Sequence, residues 1–129
     1  MRSLRDVADI AQQDVALDGA YQWAIDQFVD DFRRSPPERR MDLIDKPPEV
    51  ADGRLAALLA GIVDALCEET GTRHPEWLSR IGVVSPRPFF VMRPDGNCTA
   101  EFAFSQMLYS PPWFFGRDVF VPENYLVRA

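Results

Sequence analysis

Among 129 residues the chain has one histidine, His74, one lysine, Lys46, and two cysteines, Cys67 and Cys98. Each scarcity excludes something. With a single imidazole, acid–base chemistry near neutral pH has one obvious candidate. Two cysteines at a spacing with no metal or redox signature exclude a thiolate zinc site and a disulfide framework. There is no Gly-rich phosphate loop and no Ser nucleophile elbow, and Asp95-Gly96-Asn97 lacks the remaining oxygen ligands of a calcium loop. No metal or cofactor is therefore expected. No apolar run approaches the length of a bilayer span, and the first residues lack the apolar core of a signal peptide. The expected location is cytoplasmic, with reduced thiols.

What is present is an acidic, aromatic-rich composition. Hydrophobic residues make up 47% and aromatics 12%, too much apolar surface for a disordered chain. The length fits one domain, residues 1–129, that buries roughly two-thirds of its unfolded surface. No repeat, low-complexity segment or long linker divides it. The formal charge of -6 disfavours nucleic acid, whose phosphates require neutralising cations, and favours a basic protein as partner.

Hydrophobic spacing points to helices throughout. Leu4, Val7, Ala8, Ala11 and Val15 form one face over residues 3–17, with Ser3 as cap and Asp6 as a short version of the capping-box Glu. Tyr21, Ile25, Phe28 and Phe32 form the face of a second helix ending near Arg33-Arg34, whose charges suit a helix C-terminus. Ser35-Pro36-Pro37-Glu38 reads as a new start with Ser35 as cap, leading to a short helix over residues 38–44 that stops at Lys46-Pro47-Pro48. Leu55, Leu58, Leu59, Ile62, Val63, Leu66 and Cys67 make the strongest stripe. The small residues Ala56, Ala57, Ala60 and Gly61 around it predict a central helix buried on more than one side, with Gly71 as a left-handed cap. A short helix is expected from His74-Pro75-Glu76 to Ile81, and another over residues 100–109 after Thr99. Residues 83–98 read as extended structure or a hairpin, and 119–121 as a short extended piece. The expected fold is mainly α: one compact bundle of about five or six helices with an extended aromatic C-terminal segment.

Several groupings invite chemistry. Asp26 and Asp30, Asp14 and Asp18, and Glu68-Glu69 near His74 are acidic pairs, but they lie on predicted solvent faces without the Glu-x-x-His pairs of a carboxylate metal site. Cys67 precedes His74 by seven residues, yet it continues an apolar stripe, where a free cysteine is an inert small hydrophobe. No catalytic residue is assigned. Arg33, Arg34, Arg39 and Arg40 form the densest positive group, at a helix junction. Trp23 lies off the main apolar stripe of its helix, either as a binding anchor or as part of a second core face.

The last twenty residues are unusual for a terminus, because Trp113, Phe114, Phe115, Phe120 and Tyr125 would be costly to leave in water. They pack either on the chain's own core or on another protein. Here the chain resembles a group of small, largely uncharacterised bacterial proteins whose C-terminus reads Ser-Pro-x-x-Phe-Arg-Arg-Arg-x-Ile-Phe-Val, then a spacer, then Leu-x-Arg-Ala. Ser110, Pro111, Phe114, Arg117, Phe120, Val121, Leu126, Arg128 and Ala129 match, with Val119 in place of Ile. Phe28-Val29-Asp30-Asp31-Phe32, Pro47-Pro48, the helix from Leu55 to Leu66, and Pro75-Glu76-Trp77 are similar to further elements of that group. Those proteins resemble components of toxin–antitoxin-like gene pairs, which implies a partner-binding role. Phe115 and Gly116 stand where the group has arginines, which favours an apolar tail over a basic one.

The resulting expectation is a non-enzymatic, antitoxin-like interaction module that neutralises a cognate protein of basic toxin type. Trp113, Phe114, Arg117, Phe120 and Tyr125 are the expected partner-binding residues. The alternatives are a DNA-associated transcriptional regulator with a helix-turn-helix-like surface around Arg33 to Arg54, and a self-associating domain or homodimer.

Overall fold

The computed structural model describes residues 3–13, 21–50, 52–81, 89–90, 110, 114, 117, 119–121 and 125–127. Helix α1 spans Leu4–Gln12, α2 Gln22–Arg34, α3 Pro37–Ile44 and α4 Gly53–Thr70. A 3-10 helix covers Glu76–Arg80, and the two-residue strands β1, Phe89–Phe90, and β2, Val119–Phe120, pair in parallel. The chain is thus mainly helical, with four α-helices among the described residues in place of the five or six expected. The helix expected over 100–109 lies outside the described residues.

Local chemistry accounts for the helix ends. Ser3 Oγ accepts from the Asp6 amide at 3.3 Å while Asp6 accepts from the Ser3 amide at 3.0 Å, a complete capping box built with Asp. The helix ends at Gln12 with Gln13 as its C-cap, and residues 14–17 of the expected span lie outside the described residues. Asp52 opens α4 by accepting from the Arg54 amide at 2.8 Å. Gly71 closes it at φ 69°, a left-handed conformation that costs glycine little.

The α2–α3 junction corrects the sequence reading. Ser35 does not cap α3; its hydroxyl donates back to Asp31 O at 2.6 Å and it ends α2. Two consecutive prolines explain this, since each disfavours helical ψ in the residue before it. Ser35 and Pro36 are both extended, at ψ 145° and 157°, so Pro36 becomes the N-cap and Pro37 the first helical residue.

Helix α4 supplies the core's axis. Leu55, Leu58, Leu59, Ile62, Val63 and Leu66 are all buried, as are Ala57, Ala60, Gly61 and Ala65 on its other sides. Helix α1 packs against α2, α3 and α4, and α4 also meets α2 and β2. Phe28 and Phe32 of α2 join the core with ring centroids 6.1 Å apart. Trp77, in the 3-10 helix, satisfies its buried indole by donating to Ile44 O at 2.9 Å, tying that helix to the end of α3. Strand β1 pairs with β2, far along the chain, so its described partner is the C-terminal segment.

Candidate functional site

Of the expected contact residues, Phe114, Arg117 and Tyr125 lie where α2, α4 and the 3-10 helix meet the C-terminal segment. Phe114 is 0% exposed and stacks edge-on against Tyr125, with centroids 5.9 Å apart and planes at 84°. The Tyr125 hydroxyl donates to Gln22 Oε1 on α2 at 2.7 Å. Burial pushes the phenol well above its ordinary pKa, so it stays a neutral donor. Val119 and Val121 are buried beside them, and the Val121 amide donates to Ser110 Oγ at 2.9 Å.

Two guanidiniums fasten this segment. Arg117, whose side chain is 14% exposed, donates to Asp64 Oδ2 of α4 at 3.2 Å and to Ile81 O at 3.0 Å, with a longer 3.5 Å contact to Leu78 O. Arg33 of α2 grips Glu69 of α4 with two bonds of 2.8 Å and reaches Leu126 O with a third of 2.7 Å. Planar forks suit such multiple acceptors, and the half-buried setting screens them less than open water would.

The structure therefore turns Phe114, Arg117 and Tyr125 toward the chain's own helices, the first of the two arrangements that the sequence left open. Strand β2 holds the backbone of Phe120 opposite Phe90. Trp113 and the Phe120 side chain lie outside what is described. Sequence reasoning missed Gln22, Arg33 and Asp64 as the anchors of the segment, with Glu69 holding Arg33 in place. Asp64 carried a signal: it is a charge set between Val63 and Ala65 in the most apolar helix.

Asp64 also organises His74. Its Oδ1 lies 3.0 Å from His74 Nε2, with Glu68 Oε1 3.7 Å away, so one carboxylate holds both the Arg117 guanidinium and the imidazole. Cys67 takes no part, since its thiol points to Arg73 O at 3.9 Å and burial pushes its pKa up to about 11. Thiol and imidazole have separate partners, and no thiolate is available near neutral pH. Among the described residues, no three His, Cys, Asp or Glu side chains converge as metal ligands.

The arginine group at the α2–α3 junction is largely engaged in structure. Arg33 binds Glu69, and Arg34 pairs with Asp31 at 3.1 Å. Arg40 donates to Phe32 O and Arg33 O, each at 3.1 Å, closing the C-terminus of α2 with its guanidinium 5.8 Å from the Phe32 ring centroid. Such cations at a helix C-terminus are favourable in themselves.

Trp23 is different. It is 51% exposed on the outer side of α2, and Gln27, one turn on, is also exposed. Half-buried Asp26 and Asp30 follow at three and seven residues, so an aromatic surface and two carboxylates share one helical stripe.

Among the described residues no helix is long and apolar enough to cross a membrane. No protein-family model, curated protein or solved structure matches the chain.

Proposed function

We propose that this chain is a non-enzymatic protein-interaction module, antitoxin-like in role, that binds and neutralises a basic cognate protein through the outer face of α2. The observation that carries the reading is the exposed Trp23 beside Asp26 and Asp30, while Phe114 of the aromatic tail is buried. A tryptophan on a polar helix face supplies a large rigid contact and a π-face for Lys or Arg, and neighbouring carboxylates attract the same cations. The net charge of -6 adds long-range steering toward a basic surface. In this reading the tail acts as a brace that holds α2 and α4 in place. A DNA-bound regulator is less favoured, because the net charge of -6 opposes binding to phosphates.

The test begins with affinity capture from the native cytosol, followed by binding measurements on the purified pair. Trp23→Ala is expected to weaken a captured basic partner by about 2 kcal/mol, roughly thirtyfold, while leaving the fold intact. Binding should also fall as salt rises, because steering between exposed charges is screened. Unchanged affinity in the folded variant rules out this face as the contact surface.

A further inference from the structure

A cleft of about 370 Å³ lies between the end of α3 and the segment running through the 3-10 helix. Its walls are fixed to each other from beneath by the hydrogen bond from the Trp77 indole to Ile44 O. One wall carries His74, held by Asp64, which is itself held by Arg117. The cleft is thus built on contacts from α3, α4 and the C-terminal segment, and its volume lies within the roughly 300–1,000 Å³ typical of small-molecule sites.

Its charges are what single it out. Arg73 and Arg80 line it, as do Asp45 and Glu76, and none of these four side chains has a hydrogen-bond or ion-pair partner among the described residues. This contrasts with Arg33, Arg40 and Arg117, each of which is matched to acceptors. Here guanidiniums and carboxylates share a cleft without closing on each other. A ligand bearing only negative charge would meet the two carboxylates, and one bearing only positive charge would meet the two guanidiniums. A zwitterion satisfies both sets. Met41, Pro47, Pro75 and Trp77 supply the apolar part of the lining.

We propose that this cleft binds a small zwitterion with an apolar side chain, of the free α-amino acid class. Arg73 and Arg80 receive its carboxylate, Asp45 and Glu76 receive its ammonium, and the apolar lining takes its side chain. This site is separate from the α2 face, and either can stand without the other.

The test is ligand-observed NMR and titration of the full chain with L-leucine, L-methionine and L-phenylalanine. N-acetyl-L-leucine and L-leucinamide, each lacking one of the two charges, are run alongside. Saturable binding of at least one amino acid is expected. Removing either end charge, or introducing Arg80→Gln or Asp45→Asn, should weaken it by about tenfold or more, as losing a charge-assisted hydrogen bond does. Both substitutions are at exposed positions, and circular dichroism checks their folding, while the ligand series uses the unaltered chain. Three results would each overturn the proposal: no saturable binding at about millimolar ligand; N-acetyl-L-leucine or L-leucinamide binding as tightly as L-leucine; or binding indifferent to both substitutions.

Discussion

Replacing Phe114 by Ala asks whether the C-terminal segment belongs to the core. The side chain is completely buried, stacks edge-on with Tyr125, and sits in a segment fastened by Arg117 and Arg33. Removing a buried phenyl ring costs about 3–5 kcal/mol in transfer and cavity terms, and losing the edge-on contact lies at the upper end of that range. A domain of this size has about 5–15 kcal/mol in total, so the variant should be visibly crippled. Urea unfolding followed by tryptophan fluorescence and circular dichroism reads the loss directly. With a slope of about 1.5 kcal/mol/M, the midpoint should fall by about 2–3 M. Two controls bracket the result. Tyr125→Phe keeps the ring and removes only the hydroxyl bond to Gln22, for about 0.5–1.5 kcal/mol. The exposed Arg39→Ala should move stability by less than about 0.5 kcal/mol. A Phe114→Ala midpoint within about 0.5 M of the parent would refute the inward packing of the tail.

Arg117→Met removes the donor shared by Asp64, Ile81 O and Leu78 O while keeping much of the side-chain bulk, and should cost about 1.5–3 kcal/mol by the same unfolding assay. A neutral result would mean that the Asp64 junction contributes nothing to holding the tail. Cys67 gives a pH prediction. Its thiol is raised from an ordinary 9.0 to about 11 by burial first and then by Asp64 and Glu68, so the folded state keeps the proton that the unfolded state releases. The resulting stability is fully present below pH 9, and it is lost as pH rises from 9 toward 11. Cys67→Ala should flatten that part of the stability profile. An unchanged alkaline slope in Cys67→Ala would show that other groups set it.

The helical part of the fold was legible because its signals are local. Apolar residues three and four apart specify a buried helix face wherever the chain sits, and the stripe from Leu55 to Cys67 is buried as its spacing predicts. Caps are equally local when one residue has one task, as with Ser3, Asp6 and Gly71. The reading of Ser35 as a cap failed for a reason that was also in the sequence. Consecutive prolines extend the chain before each of them and move the helix start one residue on. For the candidate site the signal was weaker. Trp23 was marked by its displacement from the apolar stripe, but a second core face fitted that placement equally well.

By itself the sequence determined a mainly helical chain, an acidic surface and a C-terminal segment too aromatic to be left in water. Only the tertiary structure decided what covers that segment. Its anchors, Gln22, Arg33 and Asp64, sit on α2 and α4, and nothing in local spacing links them to Phe114, Arg117, Tyr125 and Leu126. Burial of an aromatic residue can be read from its cost in water, but its partner depends on which distant faces the packed helices bring together. The same holds for the cleft of Arg73, Arg80, Asp45 and Glu76, whose residues come from two separate stretches and whose pairing, or lack of it, exists only in three dimensions.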